Sequence, residues 1–300
     1  MLDKHEAFSF PHKQQMKKYR YISLTLVAAF AITGYAQEQI LKSAPQLVVN
    51  ISIDQLRSDY MEAFAPLYGT NGFKRLLKNG TIYTNASYPF SQIDRASAIA
   101  SIATGTTPFY NSIVGARWLN KETLRPVYCV DDENHQGYYT KDCSSPKNLS
   151  TSTICDELKV ATNGKAVVYS IAPFRDAAIL SAGHAADGAI WIDDNDGTWC
   201  SSTYYFDAPP SWLQAFNSLH SLPRTIDISE WQPKNALSGN FSYFMTGGMQ
   251  KPFKRKFTGA RRFREYKTSG LVNESITDIA IQCINSNVMG SDAITDCINI

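Results

Sequence analysis

The strongest constraint on how this chain folds is the alternation of short apolar, β-branched runs with amphipathic segments. The run from Leu47 to Ile53, LVVNISI, ends on Asp54 and reads as a buried strand with a carboxylate at its C-terminal tip. In NGFKRLLKNGTIYTNASYPF a short amphipathic helix stops at Gly80 and a strand follows. Residues Ser97 to Thr104 are rich in Ala and Ile and read as helix, closed by Gly105. GKAVVYSIAP is a second buried strand, and AGHAADGAIWIDD a third segment that runs into acids. Strands alternating with helices predict an α/β fold: an α/β/α sandwich with a largely parallel central sheet covered on both faces. In such sheets chemistry gathers at the C-terminal strand tips, where Asp54 falls.

With 300 residues and 44% hydrophobic content, the chain can bury one substantial core. No run of Pro, Gly or Ser divides it, so one domain is expected, which need not be a whole one. A net charge of +2 gives the chain as a whole no claim on nucleic acid or acidic lipid. The local exception is Lys251 to Lys267, KPFKRKFTGARRFREYK, with its cations interleaved with aromatics and opposed by one acid, Glu265. It could contact an anionic polymer or a membrane surface. The favoured reading is a solvated surface stretch whose charge is offset elsewhere.

From Met16 the chain has a basic start (Lys17, Lys18, Arg20), an apolar run from Ile22 to Ile32, and small residues Gly34 and Ala36 around Tyr35. That is the pattern of a secretory signal, with cleavage expected after Ala36. Residues 1–15 then read as an upstream start artefact, 16–36 as the signal, and 37–300 as the domain. The apolar run is too short for a spanning helix and no other segment qualifies, so a periplasmic or secreted location is expected. Six cysteines suit an oxidising compartment, and none forms a CxxC pair. Cys129 and Cys143 bracket the polar stretch VDDENHQGYYTKD and are the pair expected to be joined.

The strings LVVNISIDQLRSDY, NGFKRLLKNG, the helix ending in TGTTP, STICDELK, AILSAGHAADGAIWID, GTWCSSTYY and PSWLQAFN follow one another in order. From about Leu47 to the end, this resembles the alkaline phosphatase superfamily, and most of all its phosphate-monoesterase branch with a nucleotide pyrophosphatase/phosphodiesterase-like core. The resemblance implies an α/β/α sandwich, hydrolysis of phosphate esters, and two zinc ions at the strand tips. It makes Asp54 a zinc ligand.

The other family positions are altered. Anchoring on Thr104-Gly105 puts Arg95 where the nucleophilic threonine belongs, with Ser97 the nearby hydroxyl that would have to stand in. The phosphate-binding asparagine is replaced by Ala116, in the pair Gly115-Ala116. The Lys-x-Arg pair is replaced by Phe174 and Asp176; a one-residue slip would bring only Arg175 into play. Phosphoryl transfer of this kind rests on positioning and on charge stabilisation by metals and cationic donors, and losing one oxyanion donor costs about 3 to 4 kcal/mol of barrier. His184 belongs to the AGH string, which the family carries as structure. The chain also ends where most of the family's Asp and His ligands would follow, so it reads as the N-terminal part of a longer fold, and full occupancy by zinc is not expected. The expectation is therefore an alkaline-phosphatase-like protein with a degenerate site and a binding or scaffold role. The alternative is a zinc-dependent phosphate mono- or diester hydrolase with a rearranged site.

Overall fold

The fold is an α/β sheet whose strands divide their side chains among two large cores and one small one. It is seen in a computed structural model that describes residues 44–234 and 239–300; the start segment and signal read from the sequence lie outside these residues. Pro45–Ile300 form one compact unit. The chain runs β1 (Leu47–Asn50), α1 (Ser58–Ala63), a 3-10 turn at Ala65–Leu67, α2 (Phe73–Asn79), α3 (Arg95–Thr104) and α4 (Pro108–Asn111). Next come β2 (Arg117–Leu119), β3 (Pro126–Tyr128), β4 (Gly137–Tyr138), α5 (Ile154–Ala161), β5 (Val168–Ile171), α6 (Arg175–Ala182), β6 (Gly188–Ile192) and β7 (Trp199–Ser202). After α7 (Ser211–Leu219) and α8 (Leu222–Ile228) lie the short strands β8 (Glu230–Trp231), β9 (Phe244–Thr246), β10 (Met249–Lys251) and β11 (Arg255–Lys256). The chain closes with α9 (Arg262–Lys267), α10 (Val272–Ser286) and β12 (Asp296–Asn299).

The main sheet has the order β1-β12-β5-β6-β7-β4. The first four strands are mutually parallel, and β7 and β4 add an antiparallel edge. Period-two alternation sorts the strand side chains. Tyr169, Ile171, Ile190, Ile192 and Ile298 enter a core with residues of α7, α8, α9 and α10. Ala189 and Trp191 point the other way, into a core shared with α3 and α6. That second core is lined by Ala96, Ala100, Ala177, Ala178 and Ala182, small side chains that let α3 and α6 approach closely. Every residue of β5 and β6 is buried, as expected of parallel strands covered on both faces.

Three local readings change. The strand predicted over Leu47–Ile53 stops at Asn50, and Val49, Ile51 and Ile53 are exposed, because β1 is an edge strand paired on one side with β12. Residues 81–90 form no strand, having no ladder partner among the described residues. The last stretch, TDCINI, supplies β12, inserted between β1 and β5.

The AGH string is structural, and its geometry shows why. Asp156 in the first turn of α5 accepts from the backbone N–H groups of Thr153 (2.7 Å), His184 (2.8 Å) and Ala185 (2.7 Å). The His184 ring reaches Asp156 through Nδ1 (3.2 Å) and the Leu149 carbonyl through Nε2 (3.0 Å). Gly183 has φ of +75°, and a Cβ there would lie 2.3 Å from Thr153 Oγ1, so only glycine passes this point. The hydrogen bond to Asp156 raises the His184 pKa against the opposing effect of burial. For Asp156, burial pulls upward, but the bonds from His184, Thr153 and Ala185 outweigh it and the pKa falls. The pair is therefore at full strength between the ordinary carboxylate and imidazole pKa values. Its contribution is lost as pH falls through the lowered Asp156 pKa, and again as pH rises through the raised His184 pKa. Urea denaturation of wild type and His184→Gln across pH 6 to 9 should show the wild-type advantage shrinking as pH rises; an advantage that grew with pH would contradict this linkage.

Candidate functional site

Helix α3 begins with a closed set of local bonds. Asp94 is its N-cap: Oδ1 accepts from Ser97 N (2.9 Å), and Ser97 Oγ accepts from Asp94 N (3.0 Å), a reciprocal capping box. The second carboxylate oxygen of Asp94 accepts from Ala116 N at 2.6 Å, tying the Gly115-Ala116 turn to the helix mouth. Ser97 is fully buried, and its hydroxyl is committed to this box and to the Asp94 carbonyl (3.2 Å). Gly105 ends the helix in the left-handed conformation, as its position predicted.

Arg95, the first residue of α3, reaches across to the first turn of α6. Its Nε lies 3.2 Å from both carboxylate oxygens of Asp176, and its Nη2 lies 3.0 Å from both. Asp176 is completely buried, whereas the Arg95 side chain is 26% exposed. The guanidinium also lies over the Phe174 ring at 3.9 Å. Burial acts to lower the Arg95 pKa, and the charge of Asp176 and the hydrogen bonds donated to it overturn this, with smaller contributions from Tyr128 and Asp54. Three of the four positions that the sequence set against the family site, Arg95, Phe174 and Asp176, thus form one contact cluster. The fourth, Ala116, is held beside it through Asp94.

Arg175 does not enter this cluster. Its side chain turns to Asp131 (Nη2 to Oδ1, 3.0 Å) and Ser144 Oγ (2.9 Å), and it stacks on Tyr128 at 4.5 Å. Lys267, which sequence reasoning left in the basic stretch, does approach. Its Nζ lies 4.8 Å from the Phe174 ring centroid, donates to the Ile192 carbonyl (2.8 Å) and pairs with Asp194 (2.5 Å). Burial lowers its pKa, against the pull of Asp194. Within the same basic stretch Lys254 pairs with Glu230, Arg255 with Glu265 and Arg262 with Asp227, so acids offset about half of its charge.

Asp54 lies beyond the end of β1 in a turn completed by Gln55 at φ of +59°, and is exposed. Its charge is felt by Arg95 and Tyr88. All six cysteines are free in this structure, the expected Cys129–Cys143 pair included. Cys129 packs into the alanine-rich core, which Cys143 does not join; the loop between them is held instead by Asp132, which accepts from Ser145 Oγ (2.5 Å) and Lys147 Nζ (3.1 Å).

The profile described as type I phosphodiesterase / nucleotide pyrophosphatase matches residues 48–271. The chain belongs to this family. It lies in the alkaline phosphatase superfamily, and its relatives include the alkaline phosphatase PhoV of Synechococcus elongatus, 35% identical over 81% of this chain and 46% of that protein. The alkaline phosphatase PafA of Elizabethkingia meningoseptica is 31% identical over 92% of this chain and 54% of the relative. The crystal structure of wild-type PafA superposes with a TM-score of 0.73 at 31% identity, over 85% of this chain and 52% of that one. A PafA variant substituted at one threonine, one asparagine, one lysine and one arginine superposes with a TM-score of 0.72. The chain thus spans about half the length of the relatives it matches.

The donors of the described residues do not by themselves make the two-zinc centre that the family resemblance implies. Among the described residues no three His, Cys, Asp or Glu side chains converge. The charged neighbour of Asp54 at the strand tip is a guanidinium, and both oxygens of Asp94 are taken by backbone amides.

Removing one partner of the Arg95–Asp176 pair leaves a buried charge uncompensated. Arg95→Ala should therefore cost about 3 kcal/mol in urea denaturation, and Arg95→Met combined with Asp176→Leu should recover most of it. A loss within about 0.5 kcal/mol, as for an ordinary surface change, would mean that the pair is not the contact described.

Proposed function

We propose that this chain is an alkaline-phosphatase-like domain in which an internal ion pair has taken the place of the phosphate-binding groups, so that it serves a non-catalytic binding or scaffold role. The observation that carries this reading is the bidentate Arg95 contact on a fully buried Asp176. In the solved PafA variant the substituted threonine precedes the asparagine by the same number of residues as Arg95 precedes Ala116. Its lysine and arginine are one residue apart from touching, as are Phe174 and Asp176. At the asparagine, that variant carries the same residue, alanine, that occurs here at 116.

The chemistry supports the same conclusion. A guanidinium cannot attack phosphorus, and one held on a carboxylate has little left to offer a phosphate dianion. Asp176 adds negative charge where transferring phosphoryl oxygens would need positive charge. Ser97, the only replacement nucleophile suggested by the sequence, sits in a capping box that it would have to leave in order to react. We further infer export, on the signal pattern ending at Ala36; among the described residues no helix is long and apolar enough to cross a membrane.

The test is turnover of aryl phosphate mono- and diesters with added zinc. Because the relatives are about twice as long, it is run on the 300-residue chain and on the longest product of the same gene. Neither should turn over substrate above background, and Arg95→Thr should restore nothing because Ala116, Phe174 and Asp176 remain. Robust zinc-dependent turnover abolished by Ser97→Ala would establish the rearranged-hydrolase alternative instead.

A further inference from the structure

The thiols of Cys155 and Cys297 lie 3.6 Å apart, although they are 142 residues apart in the chain. Cys155 is in the first turn of α5, and Cys297 is in β12, inside the parallel sheet. Both are almost fully buried in a small core with Ala166 and Val168. Among the described residues they are the one pair of cysteines whose sulfurs touch. Cys200 bonds instead to the Trp191 carbonyl, and Cys283 to Asn287. Two amides also address the pair: Asn299 Nδ2 donates to Cys155 Sγ (3.3 Å) and Asn50 Nδ2 to Cys297 Sγ (3.5 Å).

From this geometry we infer that Cys155 and Cys297 are a disulfide-forming pair, whose bond staples the first turn of α5 to strand β12 when the chain folds in an oxidising compartment. The sulfurs must close by about 1.5 Å to reach the S–S bond length. Cys155 is the attacking thiol. Its place in the first turn of α5 favours a thiolate there before β12 is in place.

The oxidant is a disulfide, either of a small thiol or of a thiol-oxidoreductase. The Cys155 thiolate attacks one of its sulfurs, forming a mixed disulfide and expelling one thiolate. The Cys297 thiolate then attacks the Cys155 sulfur and expels the second. Two protein thiols lose two protons and two electrons, and one disulfide is reduced to two thiols. Because both sulfurs are buried once β12 is in place, the exchange belongs to the folding phase, before that strand closes over Cys155.

The decisive experiment refolds the full 300-residue chain in a glutathione redox buffer, quenches with acid, and maps alkylated peptides before and after reduction. The expected product is a linked peptide pair carrying Cys155 and Cys297, with Cys129, Cys143, Cys200 and Cys283 recovered alkylated. Reduction should lower the melting temperature of the wild type by roughly 5–10 °C and leave a Cys155→Ser/Cys297→Ser variant unchanged. Recovery of Cys155 and Cys297 as free thiols from the oxidised, refolded chain would overturn the inference, as would a link from either to another cysteine. Mapping exported protein separates this inference from the export reading. A link in the refolded chain that is missing from the cellular protein supports the pair and counts against export.

Discussion

A carboxylate with no solvent access must have donors fixed on it, and at Asp176 a cation, Arg95, supplies them. The consequence reaches beyond one ion pair. To hold Asp176 from the first turn of α6, the Arg95 side chain must leave the mouth of α3 in a set direction, which requires the start of α3 to be rigid. The Asp94–Ser97 capping box supplies that rigidity, and the same Asp94 fixes the Gly115-Ala116 turn. Below these contacts, the alanines of α3 and α6 allow the two helices to approach closely enough for a guanidinium on one to reach a carboxylate on the other. Packing, capping and charge therefore meet at one point.

This arrangement also accounts for the altered positions as a group. Asp176 alone would be a buried unpaired anion, and Arg95 alone a half-buried cation without a partner. Together they satisfy each other, while Phe174 gives the guanidinium an aromatic face and Lys267 approaches the same ring. An active site in which single residues had drifted would be expected to leave unsatisfied polar groups. Here Arg95, Phe174 and Asp176 satisfy one another. The family membership and the fold carry no such information, since one scaffold holds both hydrolytic and non-hydrolytic sites.

Much of the scaffold was legible because it depends on local pattern. The all-apolar runs around Val168 and Gly188 could hardly be anything but central strands, and Gly105 marks the end of α3 through its left-handed backbone. The misreadings were non-local. Whether Leu47–Ile53 is buried depends on what pairs with its far edge, and β12 is a strand because two parallel neighbours accept it, which no period within TDCINI reveals. At the site, the motif anchors pointed to Arg95, Phe174 and Asp176 one by one, as separate replacements. That the three contact one another follows from the crossing of α3 and α6. The roles of Asp94 and Lys267 were hidden for the same reason: one reads as an ordinary cap and the other as part of a basic stretch.

The central claim is that Arg95 is held by Asp176 and is closed to phosphate. The most direct test is the Arg95 Nε–H resonance in NMR, followed as inorganic phosphate is added in the presence of zinc. The account predicts one resonance, slow to exchange with water, whose position does not move with phosphate and which is lost in Arg95→Met. A saturable phosphate-dependent shift would contradict it, because the guanidinium would then be leaving Asp176 to bind the anion.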